Sequence, residues 1–330
     1  MRGHDARPEL RLERPAAALA AFAAALAACI AAGQIAIRTV PGLAAAQRTA
    51  ATIRYPDSTW YLAYNGGTQL DHYVLFHGFG ESIRSARQAD ILILGNSRSQ
   101  FGLPSEPLRA FERRHGVKIF HMGLGFVEAH SFPLEIIRKF DLRPKLVVVN
   151  ADGFFADGES LMAREVRATP RWTAAKNVYE NLASSVVMPW VSAVFPHFTA
   201  PPAKAYLLRS SVHGSWRPVG WPHHDTPFQN TPIPFRVAQM LPGAQRFKQE
   251  MDRRGTQIVL TCVPGWPEIC NPDNTAKLAQ ALGVAAIVPW PSHLKLGDKS
   301  HLCPASGQRF ANAFLHELGR SPALRSIARR

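Results

Sequence analysis

A chain of 330 residues with 46% hydrophobic, 9% aromatic and 19% charged residues holds enough apolar material for a full core, and its composition excludes a disordered protein. The formal net charge of +14 comes from Lys and Arg scattered along the chain; without a long basic run or zinc-finger spacing, it argues against nucleic-acid binding. It suits a surface that faces anionic lipid or an acidic glycan. The four cysteines show no CxxC or Cys/His metal spacing, so neither a metal nor any other cofactor is expected.

The first element is an uncharged run at residues 15–37, preceded by Arg2, Arg7, Arg11 and Arg14 and closed by Arg38. Its length, about 23 residues or roughly 34 Å as a helix, crosses a bilayer core of about 30 Å. A soluble Ala-rich helix needs a polar face, and only Gln34 offers one. Arginines ahead of the span place residues 1–14 in the cytoplasm and the remainder across the membrane. The expectation is a single-pass anchor in a bacterial inner membrane with the folded domain in the periplasm. A cleaved signal peptide and a lipoprotein box at Leu26-Ala27-Ala28-Cys29 are the alternatives; the apolar run continues past Cys29, which favours an anchor. In an oxidising compartment Cys262 and Cys270 can pair across the Pro-Gly-Trp-Pro turn and leave Cys303 free, with other connectivities open.

Residues 38–87 read as a linker and an N-terminal extension carrying Trp60, Tyr61, Tyr64, Tyr73 and Phe76. From residue 88, apolar runs alternate with helical patterns: ADILILG (89–95), a helix near 105–115, VKIFHM (117–122), a helix near 127–139, and KLVVVN (145–150). Continuous Val/Ile/Leu runs are how strands covered on both faces read, and strand–helix–strand at this spacing means a parallel sheet. The pattern stops over residues 154–242, which are rich in Pro, Trp, His and Phe, with two helices expected near 172–192. It resumes with a helix near 243–254, TQIVLTCV (256–263), a helix near 273–283, AAIVP (285–289), and a final helix from Pro304 to about Leu318. That helix carries Phe310, Phe314 and Leu318 on one stripe. The expected fold is one α/β domain over residues 88–320, an α/β/α sandwich with a mostly parallel doubly wound sheet. Residues 154–242 are its long insertion, and residues 321–330 are a basic tail.

In open parallel sheets, sites form outside the carboxyl ends of the strands. Those ends carry Gly95-Asn96-Ser97, Gly123-Leu124-Gly125, Asn150-Ala151-Asp152-Gly153 and, after the last strand, LGDKSHLCP. Asp298 and His301 stand close enough in sequence for the carboxylate to orient the imidazole within one turn. With Ser97 they supply the three parts of a nucleophilic triad.

The segments GNSRS and Asp298-Lys299-Ser300-His301 resemble the first and last blocks of the SGNH/GDSL superfamily of serine hydrolases and acyltransferases, and HLCPASGQRFANAFL is similar to its closing helix. The resemblance covers residues 88–153 and 244–318. It implies that Ser97 attacks an acyl carbonyl, that His301 carries the proton, and that Asp298 holds His301 in its tautomer. It implies oxyanion donation from the Ser97 backbone N–H and from the Gly123–Gly125 loop, with Gly125 the preferred residue and Gly123 the other register. Its third block, Gly-x-Asn-Asp, places an oxyanion-binding asparagine where this chain has Asp152, and a glycine where it has Asn150. A carboxylate beside a developing oxyanion repels it unless it is protonated or turned away. This arrangement and the anchor are similar in layout to divergent SGNH-like proteins that move acetyl or alanyl groups onto bacterial envelope polymers. The implied partners are an acylated carbohydrate or other ester, the inner membrane through residues 15–37, and a membrane-bound acyltransferase.

Other features have competing readings. Ser97 is either the nucleophile or only a turn residue, and Ser99 reads as a helix cap. Arg98 either binds an acidic or carbonyl group of the substrate or is a solvated loop charge. VKIFHMGLGFVEA also fits a strand followed by a dinucleotide loop, though its glycine spacing departs from the fingerprint. His223-His224-Asp225 reads as a loop and not a metal site. The aromatic residues of the insertion either stack on sugar rings or pack a lid. Three functions follow: a serine esterase or acyltransferase, a catalytically inactive glycan-binding or assembly protein on the same fold, and a nucleotide-binding α/β protein.

Overall fold

The structure is a computed structural model and describes Ala24 and residues 56–65, 68–125, 128–194, 205–221, 226–227, 237–265 and 272–328. The span at 15–37 otherwise lies outside these residues, as do Cys270 and His223-His224-Asp225. No helix among the described residues is long and apolar enough to cross a membrane. The chain divides into two units, residues 1–54 with 186–202 and residues 55–185 with 203–330; the second holds the elements below.

The second unit is α/β. Its elements run β1 (Trp60–Asn65), β2 (Thr68–Gln69), α1 (Leu70–His77), α2 (Ser82–Arg87), β3 (Ile91–Leu94), α3 (Ser97–Gly102), α4 (Ser105–His115), β4 (Ile119–His121), α5 (Ser131–Lys139) and β5 (Leu146–Asn150). They continue with α6 (Leu161–Ala168), α7 (Arg171–Val194, whose last turns belong to the first unit), β6 (Tyr206–Ser210), β7 (Trp216–Val219), β8 (Thr226–Pro227), α8 (Val237–Arg253) and β9 (Gln257–Thr261). The last are α9 (Pro272–Leu282), β10 (Ala285–Ala286), β11 (Lys295–Leu296), α10 (Pro304–Arg320) and α11 (Pro322–Ala328).

The main sheet has five parallel strands in the order β10-β9-β5-β3-β4. Its apolar strands send alternate residues to opposite faces, as the period of two requires. Leu92, Leu94, Phe120, Val147, Val149 and Leu260 enter one core cluster with side chains of α1, α5, α8 and α9. Ile91, Ile93, Ile119, Val148 and Val259 enter the other with α4, α10 and α11. The Phe310/Phe314/Leu318 stripe of α10 is buried in the second cluster. Strand β3 lies inside the sheet between β5 and β4, and the order reverses between β3 and β5, the place where sites form at the carboxyl ends of open parallel sheets.

Two segments depart from the sequence expectation. The N-terminal extension and the insertion, for which no strands were expected, share a sheet: β1 pairs antiparallel with β6, and the sheet β2-β1-β6-β7 joins the two regions. The residues read as a basic tail form α11, whose Leu324 and Ile327 are buried. Apolar side chains in that segment, placed one turn apart, outweigh its arginines.

Candidate active site

Ser97 is the first residue of α3, immediately beyond β3. The turn between them depends on Gly95, whose φ of 153° is unfavourable for other residues; a Cβ there would stand 2.8 Å from the Asn150 Cβ. Asn96 is the N-cap, its Oδ1 accepting from the Arg98 backbone N–H at 3.0 Å. Ser99, read from sequence as the cap, is instead fully buried: its hydroxyl donates to the Asn96 carbonyl at 2.7 Å and lies 3.1 Å from His121 Nε2. Burial pushes the His121 imidazole well below its usual value, and the Arg209 charge adds to this, so neutral His121 donates to Ser99.

His301 and Asp298 lie in the loop between β11 and α10. Asp298 Oδ1 accepts the backbone N–H groups of Ser300 and His301, both at 2.7 Å, which folds the four residues into a tight turn. Its Oδ2 faces the ring, 2.7 Å from His301 Nδ1. His301 Nε2 in turn stands 2.8 Å from Ser97 Oγ. The structure therefore brings Ser97, His301 and Asp298 into one hydrogen-bonded chain. Burial opposes the Asp298 charge, but the hydrogen bond and charge of His301, then bonds from Trp221 and Ser300, outweigh it and hold the carboxyl far below its usual range. An ionised Asp298 fixes the proton on His301 Nδ1 and leaves Nε2 to accept from Ser97.

Aromatic side chains orient this chain. Phe101 of α3 stacks on His301 with centroids 4.4 Å apart, and Trp221 meets the same ring edge-on while its indole N–H donates to Asp298 Oδ2 at 2.8 Å. Trp221 lies in the insertion, so that region contributes directly to the site. Ser97 and His301 open into a cavity of about 190 Å³ walled by Tyr64, Phe101, Trp216 and Trp221, with Gln69 and Gly125 on its lining.

The third-block residues are turned away from this cavity. Asp152 is 2% exposed and forms an ion pair with Arg98, its Oδ2 also accepting from Asn96 Nδ2 at 3.1 Å. Arg98 is thus neither a solvated charge nor presented to the cavity; it neutralises Asp152. Asn150 bridges the backbone, accepting from the Val263 N–H at 2.9 Å and donating to Asn96 Oδ1 at 3.3 Å. It ties β3, β5 and the loop after β9 together.

The Gly123–Gly125 loop is clamped from behind. The Gly123 carbonyl accepts from Gln100 Nε2 at 2.9 Å and from Arg209 Nη1 at 3.1 Å, while the Leu124 N–H donates to the Gly95 carbonyl at 2.9 Å. Helix α5 begins only at Ser131, so these glycines do not open a helix as a dinucleotide loop would. Gly125 reaches the cavity and Gly123 does not.

Sequence reasoning missed the charged layer under the loop. Arg209 and Asp71 are fully buried and joined at 3.0 Å; Asp71 also bonds His72 at 3.0 Å, and His72 reaches Glu128 at 3.3 Å. Burial disfavours a charged His72, but its hydrogen bonds to Asp71 and Glu128 outweigh this and push its pKa up to about 9. No sequence signal marked it: only the structure shows that Asp71 and His72 stand in a helix whose residues are all buried, where each needs an internal partner. Cys262 is disulfide-bonded, and Cys303 is free and buried. No family model matches the chain, and no curated protein matches it.

Proposed function

We propose that this protein is a serine esterase or acyltransferase of the SGNH-like type, acting on a short acyl ester of an envelope or extracellular glycan. The observation that carries the reading is the Ser97–His301–Asp298 chain, with contacts of 2.8 and 2.7 Å, at the point where the strand order reverses. Ser97 attacks the acyl carbon, His301 takes its proton and returns it to the leaving alcohol, and Asp298 stabilises the imidazolium that forms between the two steps. The cavity of about 190 Å³ lies below the range of roughly 300–1,000 Å³ typical of drug-sized ligands, which supports a short acyl group. Its aromatic walls are suited to a sugar ring at the mouth. The anchor at residues 15–37 would hold the domain on the periplasmic side of an inner membrane, beside a membrane-bound acyl donor enzyme.

Covalent labelling with a fluorophosphonate tests this reading. Labelling that disappears in Ser97→Ala and falls strongly in His301→Ala is the expected result. The missing third-block asparagine favours a second reading, an inactive glycan-binding protein on the same fold. That reading expects no labelling, and carbohydrate binding that survives both substitutions.

A further inference from the structure

Gln69 ends β2, paired across the hairpin with Tyr64, and is 6% exposed. It stands directly before α1, where a side-chain oxygen often caps the first helical N–H groups, yet it makes no cap hydrogen bond. Its Oε1 is buried with no partner among the described residues. Such an unmet group costs roughly 1–3 kcal/mol, and in a cavity it marks the place where a ligand completes the hydrogen bonding. The cavity is the one that holds Ser97 and His301.

The Gln69 amide lies against Gly125. A Cβ added to Gly125 would stand 2.7 Å from Oε1 and 3.1 Å from Nε2, so only glycine there leaves the amide its position. The segment is held from behind by the Arg209 guanidinium, which donates to Asp71 Oδ2 at 3.0 Å, to the Gly123 carbonyl at 3.1 Å and to the His121 carbonyl at 2.6 Å. One buried cation thereby joins the Gln69 segment to the loop that carries Gly125.

We infer that Gln69 is the side-chain oxyanion donor of this site, taking the place of the asparagine that Asp152 replaces; the inference rests on the serine-enzyme reading. In the first step Ser97 Oγ bonds to the acyl carbon, its proton passes to His301 Nε2, and the carbonyl π pair moves onto oxygen. Gln69 Nε2–H donates to that oxygen together with the backbone N–H groups of Ser97 and Gly125. The unmet Oε1 is an acceptor and so cannot itself meet an oxyanion; the two ends of an amide are nearly equal in shape, and a half turn about the last side-chain bond exchanges Oε1 for the Nε2–H donor. When the oxyanion collapses, the carbonyl reforms, the bond to the leaving alcohol breaks, and His301 supplies its proton. Water or an acceptor hydroxyl then repeats the sequence on the acyl-enzyme.

The test uses the full chain, p-nitrophenyl acetate turnover, fluorophosphonate labelling and thermal melting, with Gln69→Leu and Gln69→Ala beside the wild type and Ser97→Ala. Loss of one oxyanion donor lowers kcat about 10²–10³-fold. The expected result is that loss in both Gln69 variants with KM near wild type, and a Gln69→Leu melting temperature equal to or above wild type because an unmet buried amide has gone. Wild-type kcat in Gln69→Leu, a loss confined to KM, or kcat and melting temperature falling together would each overturn the inference. If the wild type shows no Ser97-dependent labelling, the serine-enzyme reading fails and this inference with it; if labelling is Ser97-dependent and Gln69 is indifferent, only the inference fails.

Discussion

Replacing Arg98 by Met leaves Asp152 as a carboxylate whose side chain is 1% exposed, beside the first turn of the helix that bears Ser97. Breaking a buried ion pair from one side costs about 3–5 kcal/mol. The Asn96 amide still donates to Asp152 Oδ2 at 3.1 Å, which places the expected loss near the lower end, about 3 kcal/mol. Asp152→Asn is milder, about 1 kcal/mol, because the new amide oxygen still accepts from Arg98 and Asn96, and Arg98, with its side chain 11% exposed, retains access to water. The double variant Arg98→Met/Asp152→Asn removes both charges and should cost about 1–2 kcal/mol, which gives a coupling of about 2–3 kcal/mol. Urea unfolding of the four proteins measures this cycle. Turnover provides a second measure: the bare carboxylate of Arg98→Met repels the oxyanion and should lower kcat at least about tenfold, about 1.4 kcal/mol in the barrier, with recovery in the double variant. Additive unfolding energies, or an Arg98→Met enzyme as active as wild type, would refute the reasoning that Arg98 neutralises Asp152 for the benefit of the site.

Asp298→Asn presents an N–H₂ group to His301 Nδ1 and forces the wrong tautomer, so the labelling rate of Ser97 should fall about 10³–10⁴-fold while the fold persists. Trp221→Phe removes the 2.8 Å bond to Asp298 Oδ2 and keeps an aromatic ring beside His301; a loss of about 1 kcal/mol, roughly fivefold in kcat, is expected from steady-state turnover. The folded pKa of His72, about 9, lies above its unfolded value of about 6.5, so its stabilisation is complete below about pH 6.5 and is lost as pH rises through 9. Urea midpoints at pH 6 and pH 9.5 should differ by the equivalent of about 3 kcal/mol, and His72→Gln should remove most of that difference. Equal slopes in the two proteins would show that His72 is neutral when folded.

The two segments that carry the candidate triad were legible because each is local. The turn Asp298-Lys299-Ser300-His301 builds itself: one carboxylate oxygen takes the two N–H groups that follow and the other is left for the ring. Likewise ILIL followed by Gly95-Asn96-Ser97 is a buried strand running into a capped helix, and both halves are visible in residue type. The second sheet was not visible, because its central pair, β1 with β6, is far apart in sequence, and β7 carries Pro218 on an edge, which weakens any strand signal. Helix α1 was hidden for the opposite reason, since all eight of its residues are buried and no polar face marks its period.

Sequence alone thus determined the parallel sheet, the order of its strands along the chain and the residue types at their carboxyl ends, since apolar runs and turn residues act over a few positions. Only the tertiary structure decided which polar groups face one another. Ser97 and His301 meet across 204 residues, Arg98 and Asp152 across 54, and Arg209 and Asp71 across 138. A carboxylate at position 152 reads as a defect in the chain and as an ion-paired support in the fold, because only packing supplies its partner Arg98.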